Sequence, residues 1–337
     1  MRKLILIIVG IIFLCFLIPI IFTKGFKSNQ VISNNLDENV NIENVSNDYN
    51  YNQYNIVKVW HVQTNIIEEI ELDEYLLGVV SAEMPADFDM EALKAQAVVA
   101  RTYTIFKIVN NKENAKHQNA DICDESTCCQ AWISKEDRFA KWGEDKRENY
   151  WNKICNAVND TKGDIILYNN KIINAFFHAN SGGTTEIPVN VWGGSEYPYL
   201  QSVQTSGEDT YSQYNSEAEF TKDELTKKIK ENHKDFIIDF NKEDCIKVLE
   251  YTDGGRVKTI KFGNIEMSGV EVRTLLGLKS ANFKITINED KVRFDVTGYG
   301  HGVGMSQTGA DVLAKEGKDY IDIIKHFYTD VEIKKYV

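Results

Sequence analysis

The polarity pattern opens with residues 4–22, LILIIVGIIFLCFLIPIIF, an unbroken run of 19 uncharged and almost wholly apolar positions. At about 1.5 Å rise per residue it approaches the roughly 30 Å hydrocarbon core of a bilayer. It ends in Ile21, Phe22 and Thr23 with no small-x-small cleavage site, so the pattern predicts an uncleaved membrane anchor over 1–24 rather than a removable signal. Arg2 and Lys3 precede the run while Lys24 and Lys27 follow it, which leaves the positive-inside rule nearly silent. Residues 25–55 are Asn-rich with scattered hydrophobics and no period, the composition of a flexible tether.

A regular pattern begins at Ile56. IVKVWHV and IIEEIEL read as two short strands with Thr64-Asn65 at the turn. Asp73 is placed to cap a helix over EYLLGVVSAE, stopped at Pro85. A second helix is predicted from Asp89 to about Val109, with Leu93, Ala97, Ala100, Thr104 and Ile108 at three- and four-residue spacing. Residues 111–165 hold four of the six cysteines, three of them in an irregular first part, and then turn helix-like to about Asn159. DIILYNNKIINAFFHANSGG reads as a hairpin turning at Asn169-Asn170. Residues 205–290 change texture: a charged helix (TKDELTKKIKENHK), strands near 246–251 and 256–263, and a short helix near Val270–Leu276. Strand and a Gly-rich loop follow over 291–309, and a helix near 319–327 closes the chain. The expected fold is α+β: a transmembrane helix, then a mixed domain over 56–337 with a smaller inserted α/β subdomain at about 205–290.

Composition narrows the function. A formal net charge of -12 argues against a general nucleic-acid binder, which needs clustered Lys and Arg to neutralise phosphates. Three places stand out for chemistry. Glu83 ends an apolar helical turn just before Met84-Pro85, and a carboxyl beside an apolar pocket tends towards the raised pKa of a general acid. Taken alone, a solvated helix-end glutamate fits as well. SGGTTE at 181–186 pairs glycines with hydroxyls, which suits a ligand approached by backbone and equally suits an ordinary turn. GYGHGVGMSQTGA at 298–310 spends five glycines around His301, Ser306 and Gln307, more than a simple turn needs.

In order, these segments resemble the stage II sporulation protein D family of peptidoglycan lytic transglycosylases. The resemblance spans about 56–337 and rests on LDEYLLGVVSAEMPADFDMEALKAQAVVARTY, FFHANSGGTTE, SGVEVRTLLGLKSANFKI and GYGHGVGMSQTGA. The amidase-enhancer proteins share much of this pattern. The resemblance implies Glu83 as catalytic glutamate, because the family places it immediately before Met-Pro. It implies Lys94 and Arg101 facing the site, seven residues apart and so on one helix face. It also implies a glycan cleft lined by His178, Ser181, Gly182, Gly183, Thr184, His301, Gly302, Gly304, Ser306 and Gln307. The implied reaction cleaves the bond between N-acetylmuramic acid and N-acetylglucosamine in peptide-free strands. One glutamate protonates the glycosidic oxygen and then takes the C6 hydroxyl proton as a 1,6-anhydro ring closes. No cofactor is needed for that chemistry. The implied setting is sporulation and engulfment, with a single-pass protein whose catalytic domain is extracytoplasmic. Implied partners are glycan strands, the membrane through residues 4–22, and other membrane-anchored sporulation wall proteins, namely an amidase/endopeptidase and the stage II sporulation proteins M and P.

His117, Cys123, Cys128 and Cys129 lie within thirteen residues and supply four N/S donors, enough for a closed structural zinc site. Some members of the resembled family hold zinc in this segment with two histidines and two cysteines, and here Cys128 stands in a histidine position. A disulfide suited to an extracytoplasmic compartment, or free thiols, are the alternatives. Cys155 and Cys245 are a second possible pair with nothing in the sequence to join them.

Overall fold

The computed structural model describes residues 54–110 and 117–336; the predicted anchor and all but the last two residues of the predicted tether lie outside them. Among the described residues no helix is long and apolar enough to cross a membrane.

The hairpin β1 (Ile56–His61) and β2 (Ile66–Glu71) forms as its alternation predicts, with Val57 and Val59 pointing inwards and Asn65 at φ 58° in the turn. Strand β3 (Ile122–Cys123) joins β1 in parallel. Helix α1 (Leu72–Glu83) starts two residues earlier than expected. Glu71, not Asp73, occupies the N-cap; Asp73 lies in the first turn, where its carboxylate pairs with Lys162 at 2.9 Å. Pro85 forces Met84 into extended backbone (φ -121°, ψ 135°), and that ends the helix at Glu83.

Helix α2 (Met90–Asn110) is the axis of the molecule. It packs on α1 and on the later elements α4 (Arg147–Asp160), β4 (Asp164–Tyr168), α8 (Gln307–Lys315) and α9 (Tyr320–Phe327). Ala92, Ala95, Ala97 and Ala100 are all buried, and their small side chains admit neighbours on several sides. The spacing rule thus finds the helix but understates it, since both faces are covered. Between them lies α3 (Lys135–Lys141), capped by Ser134. Strand β4 turns at Asn169-Asn170 into β5 (Lys171–Ile172); φ of 50° and 59° at the two asparagines is the primed turn that such hairpins favour. Strand β14 (Glu332–Lys335) completes that sheet.

A second buried cluster occupies residues 225–296. One sheet, β11 (Phe283–Ile287), β12 (Lys291–Thr297) and β7 (Asn215–Thr221), and another, β10 (Ile265–Ser268), β9 (Val257–Phe262) and β8 (Ile246–Tyr251), enclose it. Helices α6 (Lys222–Asn232) and α7 (Gly269–Leu276) cover it, α6 opened by a full capping box of Thr221 and Glu224. The two glycine-rich segments meet where β6 (Phe177–His178) pairs in parallel with β13 (Met305–Ser306). Between them in sequence runs the short helix α5 (Pro188–Trp192). The expected loop over 298–310 is shorter than its glycines suggest, because Ser306 caps α8 through a bond from the Gly309 N–H.

Candidate active site

The end of α1 delivers Glu83, half-buried, to the start of α8. Its Oε1 accepts the Ala131 N–H at 2.5 Å, and its Oε2 lies 3.5 Å from Gln307 Nε2. Burial raises the Glu83 pKa and outweighs those two donors, which favour the anion. The negative end of the helix dipole acts in the same direction as burial. Among the described residues no charged side chain contributes to the shift, so Glu83 is a protonatable group in a quiet electrostatic setting.

A second carboxylate organises the glycine-rich segments. Glu208 is 1% exposed and sits at the start of a single 3-10 turn. Its Oε1 receives the Ser306 hydroxyl, the Thr308 hydroxyl at 2.8 Å and the Ser181 N–H at 3.2 Å. Its Oε2 receives the Ser181 hydroxyl, the Thr205 hydroxyl at 2.6 Å and the Gly183 N–H at 3.2 Å. Burial alone would raise its pKa, yet the hydroxyl donors led by Ser181 and Ser306 reverse the sign and lower it. Arg256, 3% exposed, ties the same segments from below by donating to Ser181 O at 2.8 Å and Thr184 O at 3.0 Å. Gly302, at φ +86°, passes so close that an added Cβ would stand 2.2 Å from Arg256 Nη2.

Aromatic rings flank the loop. Trp192 lies 4.7 Å from Phe176 and 5.0 Å from His301 between ring centroids. His178 and His301, 5.7 Å apart, are both held neutral. Burial drives the His178 pKa to about 3, and burial with its neighbour His178 lowers that of His301 as well. The hydrogen bonds assign the tautomers: His178 Nδ1–H donates to Val303 O, and His301 Nδ1 accepts the Val303 N–H.

The donor atoms of His117, Cys123, Cys128 and Cys129 all lie within 4.8 Å of one another. Strand β3 fixes Cys123, while the Cys128 and Cys129 N–H groups both close a tight turn on Glu125 O. No disulfide joins the described cysteines; Cys155 and Cys245 are free, like the cluster's own three. A tetrahedral zinc thiolate site needs sulfurs about 3.8 Å apart at ~2.3 Å bonds, so the set fits a metal in number, chemistry and spacing. The segment leads straight to Glu83. Gln130 is buried, donating to Tyr75 Oη at 3.1 Å and Thr104 Oγ1 at 2.9 Å, and the next residue offers its N–H to the Glu83 carboxyl.

Comparison with known proteins bears on this arrangement. Residues 61–168 match the sequence model of a family described as stage II sporulation protein. The chain is 35% identical over 280 residues to stage II sporulation protein D of Bacillus amyloliquefaciens, covering 83% of this chain and 78% of that one. The Bacillus subtilis (strain 168) protein of that name is likewise 35% identical, with 83% and 79% covered. The chain belongs to the stage II sporulation protein D family. An amidase enhancer of Bacillus subtilis is a more distant relative, 29% identical over 77% of this chain and 40% of its own length.

The stretch that matches the family model contains Glu83 and the His/Cys cluster and stops short of both glycine-rich segments. Several residues expected to line a cleft in this sporulation family member are placed otherwise. Arg101 is 0% exposed; it donates to Val158 O at 3.2 Å and Asp164 O at 3.4 Å and lies 3.8 Å from Asp73. Lys94 pairs with Glu91 at 3.0 Å and Asp160 at 3.2 Å. The two do share a helix face, but that face packs on the end of α4, and neither bonds to Glu83. Ser181 and Ser306 are consumed by Glu208, His178 by Val303, and Gly302 and Gly304 are buried backbone. Arg101, His178, Ser181, Gly302, Gly304 and Ser306 are buried and shape the site from within, while Lys94 keeps partial exposure. Glu83, Gly182, Gly183, Thr184 and His301 keep partial access, while Gln307 reaches Glu83 from a 5% exposed position. Glu208 and Arg256 are the functional supports that the sequence reading missed. A glutamate three residues after Thr205 in a Ser- and Thr-rich stretch is the faint signal for Glu208, and none marks Arg256.

Proposed function

We propose that this chain is a peptidoglycan lytic transglycosylase acting through Glu83 alone. The observation that carries the reading is a half-buried carboxyl whose pKa is raised by burial and on which no charged neighbour among the described residues acts. Glycosidases that use water need a second carboxylate as base or nucleophile. A transglycosylase does not. Protonated Glu83 gives its proton to the glycosidic oxygen as the bond from the N-acetylmuramic acid anomeric carbon breaks. The resulting carboxylate takes the proton of that sugar's own C6 hydroxyl, whose oxygen bonds to the anomeric carbon and closes the 1,6-anhydro ring. Attack within one sugar carries little of the entropic cost of a bimolecular step. The Ala131 N–H and Gln307 amide hold the carboxyl in place and stabilise its ionised turn of the cycle.

The reading includes a resident zinc. His117, Cys123, Cys128 and Cys129 would hold it as a closed four-donor site, which supplies rigidity and no open position for chemistry. Its consequence for catalysis is indirect, because Cys129 lies two residues before the N–H that orients Glu83. Residues 4–22 would anchor the protein in the membrane with the domain outside the cytoplasm, beside the wall and its sporulation partners. Similarity to an amidase enhancer supports a second reading, in which the same cleft binds glycan without cutting it. Incubation of the full chain with peptide-free strands separates the two: anhydro-ended products that disappear in Glu83→Gln support the enzyme, and retention without cleavage supports the enhancer.

A further inference from the structure

A pocket opens where α7, the turn before β9, the start of α5 and the first glycines of the 298–306 loop converge. Arg256, Arg273, Glu186 and His301 supply its polar wall. Glu186 is 1% exposed and fully engaged. It accepts the Ile187 N–H at 2.9 Å, Asn190 Nδ2 at 2.8 Å and the Thr252 hydroxyl at 2.5 Å, and it stands 3.9 Å from Arg256 Nη1. Its charge therefore balances Arg256, whose buried Nε–H still lacks a partner. His301 is neutral; its Nδ1 accepts the Val303 N–H and the Phe177 backbone also bonds the ring. The Arg273 side chain, half-buried on α7, makes no hydrogen bond or ion pair with any described side chain or backbone group, and Tyr299 is the one titratable group that acts on it. At the rim Lys279 Nζ lies 4.2 Å over the Tyr299 ring, adding a further positive charge.

Glu186 and Glu208 both act on Arg256, whereas among the described residues no carboxylate acts on Arg273, so the unmatched cation is the half-buried arginine on α7. Partial burial of an unmatched cation is unfavourable until an anion joins it, and the planar fork of arginine suits a carboxylate best. Peptidoglycan offers such a group on its sugar. N-acetylmuramic acid carries a lactyl ether whose carboxyl is free when the stem peptide has been removed and is an amide when the peptide is present. N-acetylglucosamine carries none. We propose that Arg273 determines specificity by binding the free lactyl carboxylate of a muramic acid residue, within the pocket it shares with Arg256, Glu186 and His301. This inference rests on the proposed action on glycan strands. His301 at the pocket and Gln307 beside Glu83 are six residues apart in the chain, so their backbones stand at most about 22 Å apart, within the span of a short strand. The Trp192 indole beside His301 offers an apolar ring face to the same sugar. Selection for peptide-free strands then follows from charge, since an amide in place of the carboxylate leaves Arg273 unpaired.

The test is equilibrium binding by the full chain in detergent micelles, in a Glu83→Gln background to prevent turnover. Three probes are compared: a peptide-free muramic acid oligosaccharide, the same oligosaccharide with its lactyl carboxyls converted to primary amides, and one bearing intact stem peptides. The acid should bind about 10- to 100-fold more tightly than the amide, the range expected for a hydrogen bond to a charged group. The peptide-bearing probe should bind like the amide. Arg273→Gln should reduce the acid-to-amide ratio to about one, and Arg273→Lys should restore part of it. Equal binding of acid and amide by the unsubstituted Arg273 pocket overturns the proposal, and that comparison needs no variant to fold. Preference surviving in Arg273→Gln overturns it too. Tight binding of the peptide-bearing probe would assign the pocket to a stem-peptide carboxylate instead. Acid preference in a chain that never cleaves would uphold the pocket and sink the transglycosylase, while cleavage indifferent to amidation would do the reverse.

Discussion

Glu83 and Glu208 are the same side chain placed in two environments, and they show what burial does to a carboxyl when the number of donors varies. Glu83, half-buried, meets one backbone N–H at 2.5 Å and one long amide contact, and its pKa is raised. Glu208, 1% exposed, meets four hydroxyls and two backbone N–H groups, and its pKa is lowered. Removal from water disfavours both anions. The donors decide the outcome: two are too few to offset burial and six are enough. A poorly satisfied carboxyl is ready to give and take a proton, whereas a saturated one is a fixed strut. The same stretch of fold uses both, with Glu208 holding the glycine-rich segments from which Gln307 reaches Glu83.

The comparison breaks most sharply at Glu83 itself. Glu83→Gln should lower turnover of glycan strands by about 10²- to 10⁴-fold, the usual worth of a positioned acid/base. Its thermal midpoint should stay close to that of the parent, because a carboxamide fills the same space. Glu208→Ala should do the opposite, abandoning six donors in the interior. We expect a loss of about 3–5 kcal/mol in denaturant unfolding, as for a buried charge partner that is removed. A variant that folds as well as the parent would show that Glu208 is not the strut.

The pH dependence sharpens the contrast because the signs differ. Glu83, with a folded pKa above its unfolded value, binds more protons folded than unfolded between the two. Stability from this group is full below roughly pH 4.3 and declines as pH rises to the raised value. Glu208, with a lowered folded pKa, contributes stability that is full above roughly pH 4.3 and is lost as pH falls through the folded value. Unfolding curves of Glu83→Gln and Glu208→Gln against the parent should therefore diverge in opposite directions across the acid range. Parallel curves would remove the physical basis of the comparison.

Smaller effects are expected at the supports. Stripping metal with a strong chelator should lower both the melting midpoint and glycan cleavage, and equimolar zinc should restore them; protein purified without chelator but free of zinc would contradict the assignment. Lys94→Met should cost about 0.2–1 kcal/mol and leave KM for glycan strands unchanged, since its partners are Glu91 and Asp160. A large rise in KM would return Lys94 to the cleft.

Much of this architecture can be read from the chain. Three- and four-residue spacing locates α2, the charged run TKDELTKKIKENHK locates α6, paired asparagines locate the β4–β5 turn, and the Met84-Pro85 pair locates the end of the helix that carries Glu83. The His/Cys cluster that could hold a metal is legible because its four residues are close in sequence. Glu208 is not, because its donors arrive from positions up to 100 residues away and only tertiary pairing gathers them. Arg101 shows the limit of helical phase: the rule gives which residues share its face, but not that the face meets α4. Ser306 is hidden for another reason, as the surrounding glycines advertise a loop where a helix cap has already begun.

The most direct measurement is mass spectrometry of the products formed by the full chain from purified peptide-free glycan strands. The account predicts termini of 1,6-anhydro-N-acetylmuramic acid that vanish in Glu83→Gln. Reducing termini, heavier by one water, would contradict it and require a second carboxylate beside Glu83.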